Sequence, residues 1–342
     1  MKILITGGCG FVGSNIAFFL KKKLKNAQIY SLDTLIRKGS KSNKNRLEKI
    51  KIYNYKIDIT DNSKLKKLKK FDLVIDCCAE PAIEASKKDP DRVFNTNLIG
   101  TFNILKKCLK DKSHLVFLSS SRVYSINNLK NLLKKKNFKK PIKRKKIINE
   151  NFPTSEASSL YGFTKLASEK LIKEFFFKTN LRYIINRFGV IAGPWQFGKQ
   201  DQGFVPLWLA NHFFKKKLNY IGYGGHGNQV RDILHIDDVC KIILIQIKNF
   251  KKINNDTFNI GGGVKNSISL VELTNICKKL TGNNIFLGKK PKTSIFDVPY
   301  YISDNRKILK TYNWKPLKSV DQILKDIYLW LINNKQVWKY FK

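Results

Sequence analysis

The chain begins with Lys2–Thr6 (K-I-L-I-T), which reads as a strand, and runs at once into T-G-G-C-G-F-V-G at 6–13. Glycine at 7, 10 and 13 stands between that strand and a helix expected over about 11–24. Such spacing commits the backbone to a tight turn and brings main-chain N–H groups to the positive end of a helix. A pyrophosphate fits there, with Phe11, Val12 and Gly13 opening the helix. Asp33 follows Gly13 by 20 residues, at the end of a strand expected over 28–33. A carboxylate at that point takes the adenosine ribose hydroxyls and repels a 2′-phosphate. A dinucleotide site is expected, for NAD in preference to NADP, while Arg37 and Lys38 nearby pull the other way.

The pattern continues as strand and helix in alternation. Further strands are expected over 51–58, 73–78, 114–120 and 181–188, with helices over 97–109 and 158–178. Continuously apolar strands between helices mean a parallel sheet covered on both faces. The expected fold is therefore α/β, a Rossmann doubly wound parallel sheet with a smaller mixed α/β substrate-binding domain. The first domain is placed at 1–190 and the second at 191–342, with about 230–262 returning to the first. The Lys- and Asn-rich stretch 126–150 has little periodicity and reads as an insertion or flexible surface loop. Beyond 190 helices are expected near 205–216, 237–250, 268–281 and 319–334.

Composition narrows the function classes. The 342 residues are 42% hydrophobic, enough for a substantial core. No apolar run reaches bilayer length and the start reads as a strand rather than a signal peptide, so a cytoplasmic protein without integral membrane contact is expected. The six cysteines form no CxxC and no zinc-type cluster with histidine, and no metal site is expected. Lys and Arg number 66 against 25 Asp and Glu, a net charge of +41. Most of the excess is Lys spread over nearly every expected helix, with frequent Asn, which looks like codon bias rather than a groove for nucleic acid. No specific nucleic-acid partner is expected; attraction of anionic metabolites is a by-product.

Tyr161 and Lys165 form Y-x-x-x-K within an expected helix, which puts both side chains on one face. A phenol is a poor base, and an ammonium one turn away favours its deprotonated form. The pair suits proton exchange with a hydroxyl while hydride moves at a nicotinamide. G-x-x-G-x-x-G, Asp58-Ile59 after the third strand, Cys78-Ala79-Glu80 after the fourth, Asn97 in N-T-N-L-I-G-T and the Y-x-x-x-K pair together resemble the extended short-chain dehydrogenase/reductase superfamily. The resemblance implies adenine contacts at Asp58 and Ile59, a cofactor contact at Ala79, a structural Asn97 near the active site, and Lys165 on the nicotinamide ribose. It also implies a third catalytic residue, Ser120, three before Val123-Tyr124, with Ser119 and Ser121 as its competitors.

Nucleotide-sugar 4,6-dehydratases carry Asp-Glu after the catalytic hydroxyl residue, whereas Ser121-Arg122 stand here, which disfavours dehydration. Q-V-R-D-I-L-H-I-D-D-V at 229–239 is similar to a signature of nucleotide-sugar epimerases and dehydratases. It implies Arg231 as the diphosphate ligand and Asp232, His235 and Asp238 as structural residues at a domain junction; Asn259-Ile260-Gly261-Gly262 is likewise structural. D-T-L-I-R-K-G-S at 33–40, Q-D-Q-G-F-V-P-L-W at 200–208 and the long interval from Ser120 to Tyr161 resemble the CDP-paratose 2-epimerase (CDP-tyvelose epimerase) family, in which Ser120 would be Thr. Gln196, Gln202 and Gly203 then become substrate-loop candidates. The expectation is an NAD-dependent epimerase acting on a nucleotide sugar, a CDP-sugar favoured. Alternatives are another nucleotide-sugar epimerase, such as a 4-epimerase, or a reductase, and more distantly a non-catalytic Rossmann protein that binds RNA. The resemblance also implies a homodimer or homotetramer through the helices at 97–109 and 158–178. Filter binding discriminates the RNA alternative: weak, unspecific retention is expected, and tight binding with a steep salt dependence would favour it.

Overall fold

The apolar strands of the first half assemble side by side. A computed structural model describes residues 1–81, 88–133, 138–156, 158–198, 203–250 and 255–341. Its largest sheet contains β1 (Lys2–Thr6), β2 (Gln28–Leu32), β3 (Tyr53–Tyr55), β4 (Leu73–Asp76), β5 (His114–Ser120), β6 (Tyr183–Phe188) and a last strand at Asp256–Ile260. The order across the sheet is Asp256–Ile260, β6, β5, β4, β1, β2, β3. β1 pairs in parallel with both β2 and β4, and β2–β3 and β4–β5 are also parallel. The strand order therefore reverses at β1, and ligands of doubly wound sheets bind outside the carboxyl ends of the strands at such a point.

Burial explains why these segments are strands. Ile3, Leu4, Ile5, Val74, Ile75, Leu115, Val116 and Phe117 are fully buried, as central strands covered on both faces require. One covering layer joins Ile59, Leu65, Ile104, Leu105, Ile172 and Phe176 to the sheet residues Leu4, Val74, Leu115 and Ile185. The chain divides into two compact units. The first comprises Met1–Val123, Ser159–Arg187 and Val239–Phe258; the second comprises Tyr124–Ser158, Phe188–Asp238 and Asn259–Lys342.

In the second unit the strand Val230–His235 pairs antiparallel with Ser267–Ser269 and in parallel with Val190–Ala192 and Tyr300–Tyr301. Helices Phe204–Phe213, Leu270–Thr281 and Val320–Asn333 supply its core through Val205, Trp208, Leu209, Leu273, Cys277, Ile323, Leu324 and Ile327. Among the described helices none is long and apolar enough to cross a membrane.

Three sequence expectations change. The third strand shrinks from 51–58 to Tyr53–Tyr55, an edge strand with Tyr53 facing solvent. A helix not foreseen spans Ser40–Glu48 (S-K-S-N-K-N-R-L-E), where Leu47 is the one apolar residue and no hydrophobic period could show it. The stretch 126–150 is not a solvated loop in its described part. Ser125 caps a helix at Ile126–Asn131 by accepting from Asn128 N–H. Leu133 and Ile142 pack with Val230, Tyr300 and Ile302. Ile148 N–H donates to Ile302 O at 2.8 Å, Tyr300 Oη donates to Lys146 O at 2.7 Å, and the Phe138 ring stacks on Tyr223. The lysines hide an apolar residue every few positions, spaced too irregularly for either secondary-structure period.

Ile142→Ala and Ile148→Ala are each expected to cost about 2–4 kcal/mol in urea unfolding, the range for truncated core residues. Changes within about 0.5 kcal/mol, typical of a solvated loop, would contradict this packing.

Candidate functional site

The glycine turn is built at the reversal point of the sheet. Gly7 adopts φ +59°, and a Cβ there would stand 3.0 Å from Cys77 O and from Cys78 Cα, at the end of β4. A Cβ on Gly13 would lie 2.4 Å from Gly7 O, so only glycine lets the helix start pack against the turn. Gly10 is the N-cap of the helix Phe11–Lys23, donates its N–H to Gly7 O at 2.9 Å and makes no side-chain cap bond. Phe11, Val12 and Gly13 are the first three helical residues, and uncapped N–H groups at a helix start suit an anion.

Asp33 follows β2 directly. Its Oδ2 accepts Cys9 N–H at 3.0 Å and its Oδ1 accepts Leu35 N–H at 2.8 Å. Burial pushes the carboxyl up from its ordinary range, while those N–H bonds and the Arg37 charge act against the rise. Each oxygen retains a lone pair for a ribose hydroxyl. The turn is braced by residues that the sequence reading passed over. Asn43 of the helix Ser40–Glu48 donates to Cys9 O at 3.1 Å, and Arg46 reaches Ser14 Oγ at 3.1 Å and Asn15 Oδ1 at 3.3 Å.

Asp58 turns its Oδ1 onto Thr60, accepting from N–H at 2.9 Å and from Oγ1 at 2.8 Å. Ile59 is buried in the covering layer, against Gly100, where a Cβ would meet Ile59 Cγ1 at 2.4 Å. Ala79 is half-buried beyond β4. Asn97 lies fully buried in a π-helical turn, Asn95–Ile99. Its Oδ1 accepts Glu80 N–H at 2.7 Å, and its Nδ2 donates to Glu80 O and to Thr164 Oγ1, both at 3.2 Å.

Thr164 belongs to the helix Leu160–Phe176, which carries Tyr161 and Lys165 one turn apart and is capped by Ser159 accepting from Gly162 N–H. Tyr161 is half-buried, whereas Lys165 is only 2% exposed. The Lys165 ammonium sits 4.4 Å from the centre of the Phe117 ring and has no hydrogen-bond acceptor among the described residues. The same helix places Glu169, whose carboxylate grips Arg187 through Nε at 3.0 and 3.1 Å and Nη2 at 2.6 Å. Ser119 Oγ donates to that carboxylate at 2.5 Å and is thereby committed. Ser120, the last residue of β5, is half-buried and its Oγ accepts only the local Arg122 N–H at 3.2 Å among the described residues.

The residues of the first unit fit NAD. The glycine cradle would hold its pyrophosphate, Asp33 its adenosine ribose, and the buried Lys165 ammonium its nicotinamide ribose; the group supplies hydride acceptance and donation when bound.

In the second unit Gln196 donates Nε2 to Ile191 O at 3.2 Å and leaves a buried Oε1 without a described partner. Gly203, at φ +76°, caps the helix Phe204–Phe213, and a Cβ there would stand 3.1 Å from Gln196 Nε2. Gln202 lies outside the described residues. Arg231 donates Nη1 to Val230 O at 2.8 Å and Nη2 to Val298 O and Asp297 Oδ1. Asp232 accepts from Gly263 and Ser303 N–H, and Asp238 from Leu317 and Lys318 N–H, each at 3.0 Å. His235 is 1% exposed; its Nδ1 accepts Asp237 N–H at 2.9 Å and its Nε2 lies 3.4 Å from Asp326 Oδ2. The ligand atoms of His235, Asp237 and Asp326 lie within 4.8 Å of one another. The cation that meets both carboxylates is Lys318, at 2.8 and 2.5 Å. Burial pushes the His235 ring down to about 4, Lys318 acting in the same direction and Asp237, Asp326 and Asp238 against it.

Comparisons with known proteins agree with this geometry. The model of a family described as "NAD dependent epimerase/dehydratase family" matches residues 3–261. The CDP-paratose 2-epimerase of Salmonella typhi is 27% identical over 96% of this chain and 99% of its own length. The UDP-glucose 4-epimerase of Mycoplasma genitalium is 26% identical over 95% of this chain and 94% of its own. The crystal structure of a UDP-glucose 4-epimerase from Thermotoga maritima with UDP-glucose superposes with a TM-score of 0.82 at 25% identity, covering 98% of this chain and 100% of that one.

Two outcomes follow from the side chains. Glu169→Ala leaves the buried Arg187 without its counter-charge and is expected to cost about 3–5 kcal/mol in chemical denaturation; a loss below about 1 kcal/mol would contradict the pairing. Between the ordinary pH of 6.5 and about 4 the unfolded chain binds a proton that folded His235 refuses. The contribution is therefore present above 6.5 and lost as the pH falls toward about 4. Melting of His235→Asn is expected to fall less steeply than that of the parent across this window, and parallel curves would refute the assignment.

Proposed function

The chain belongs to the NAD dependent epimerase/dehydratase family, with NAD as its cofactor, and on that premise we propose that it inverts one carbon of a nucleotide sugar, CDP-paratose being the favoured substrate. The observation that carries the reading is the combination of Tyr161 and Lys165 on one helix with Ser120 at the end of β5, followed by Ser121-Arg122 rather than by an acid–base pair.

Held by the glycine turn, Asp33 and Lys165, NAD would supply hydride acceptance and return at the sugar carbon. Tyr161 removes the proton of the hydroxyl on that carbon and gives it back when the opposite face of the planar ketone is reduced. The Ser120 hydroxyl, which Ser119 cannot replace because Glu169 holds it, hydrogen-bonds the same oxygen. Lys165, one turn along the same helix, would meet the nicotinamide ribose with its charge. In a CDP-paratose substrate the carbon is C2. Arg231 meets the diphosphate through charge-assisted bonds, and Gln196, Gln202 and Gly203 belong to the loop around the sugar. Asp58 and Ile59 belong to the adenine side, and Ala79 contacts the cofactor. Support for the CDP-sugar comes from the 200–208 segment and from the similarity, at 27% identity, to the Salmonella typhi CDP-paratose 2-epimerase.

A 4-epimerase acting on a UDP-sugar is the second reading, favoured by the similarity to the Mycoplasma genitalium UDP-glucose 4-epimerase. Assembly as a homodimer or homotetramer belongs to the proposal as well; Leu109 and Phe163, on the two helices concerned, are 37% and 54% exposed. Sedimentation as a monomer at micromolar concentration would remove it.

Incubation with CDP-paratose and chromatography of the products is expected to yield CDP-tyvelose without consumption of added NAD(P)H. Absence of CDP-tyvelose with turnover of UDP-glucose would transfer the assignment to the 4-epimerase. Stoichiometric consumption of NAD(P)H would make the protein a reductase. Tyr161→Phe is expected to lower kcat by at least about a hundredfold, in line with loss of a general acid–base group; full turnover would refute the mechanism.

A further inference from the structure

The loop after β2 carries contrary signals for the choice of dinucleotide. Asp33 repels a 2′-phosphate, yet Arg37 follows it by four residues, close enough to draw on the Asp33 charge. Lys41 and Lys56 line a cavity of about 460 Å³ with Thr34, Leu35 and Ile36 in the same region. An arginine beside the ribose is what accommodates NADP in folds of this kind. The backbone of Arg37 is pinned by Ser40, whose Oγ donates to Arg37 O at 2.6 Å, so the guanidinium starts from a defined place.

Its direction is set by Glu80. Glu80 is 8% exposed, and Asn97 bonds both its N–H and its carbonyl. Its Oε1 takes Arg37 Nη2 at 3.3 Å and its Oε2 takes Arg92 Nη2 at 3.2 Å. We propose that Glu80 is a specificity-determining residue for the cofactor: by engaging the Arg37 guanidinium it withholds from a 2′-phosphate the cation that would accept it. Asp33, Arg37, Glu80 and Arg92 together carry no net charge, so the two guanidinium groups are balanced by carboxylates before any phosphate arrives. Glu80→Gln keeps the shape of the side chain and removes its charge, which weakens the hold on the Arg37 guanidinium and lets a phosphate compete for it.

The inference rests on the adenosine ribose lying at Asp33, as in the function proposed above, and is independent of the sugar. Isothermal titration of NAD⁺ and NADP⁺ into the full chain, freed of bound nucleotide, tests it. In Glu80→Gln the NADP⁺ affinity is expected to rise about tenfold or more, with NAD⁺ within about threefold. Adding Arg37→Ala to Glu80→Gln is expected to abolish the gain. Equal changes for both dinucleotides, or an unmoved NADP⁺ affinity, would overturn the proposal. Arg37→Ala alone decides the matter if Glu80→Gln does not fold: less than about a threefold loss for NADP⁺ is expected, and a larger loss shows Arg37 already serving the phosphate. Asp33→Ala separates the two levels, because unchanged NAD⁺ binding there would refute the placement of the ribose rather than the Glu80 pair.

Discussion

One buried amide joins the parts of the first unit that matter for chemistry. Asn97 bonds the main chain of Glu80, just past β4, in both directions, and reaches Thr164 between Tyr161 and Lys165. Its own carbonyl accepts from Thr101 Oγ1 at 2.8 Å and Ser168 Oγ at 3.1 Å. A buried amide that lost these partners would bear the desolvation of each group. The helix bearing Tyr161 and Lys165 is thus indexed to the strand end that borders the glycine turn, and the π-helical turn lies at that junction, where such turns often mark function. Glu169 adds a second index mark, fixing the same helix to Ser119 of β5 and Arg187 of β6.

Features whose meaning is local were legible in the sequence. Gly7, Gly10 and Gly13 sit within one turn, and Tyr161 and Lys165 within one helical turn, so spacing alone places them. Asp33 could be read because a strand precedes it. The expectation of Ser120 rather than Ser119 came only through resemblance; what no local pattern shows is that Ser119 meets Glu169, 50 residues later. The Arg37–Glu80 pair spans 43 residues and the Asn43–Cys9 bond 34. Contacts of that separation leave no periodic trace. The basic stretch after Ser125 failed for another cause: its apolar residues pack one by one against Val230, Tyr300 and Ile302, and each reads alone as an accident among lysines.

The large positive charge is managed differently inside and outside. Most lysines stay in water, whereas two interior cations are paired, Lys107 with Asp111 at 2.7 Å and Arg187 with Glu169. Such pairs offset their own desolvation only with good geometry. In the second unit Lys318 plays the same part for Asp237 and Asp326, and it leaves His235 in a setting that favours the neutral ring.

Lys165 departs from that rule. It is 2% exposed and its ammonium lies over the ring of Phe117, a contact far weaker than a paired carboxylate. A chain with such an interior gains stability from any ligand that meets the charge. Bound dinucleotide would then add to the stability of the unit that holds it. Under the proposed reaction each turnover hands the electrons back to the sugar they came from. No dinucleotide is then consumed in net terms, and a second redox reaction to regenerate it is not needed.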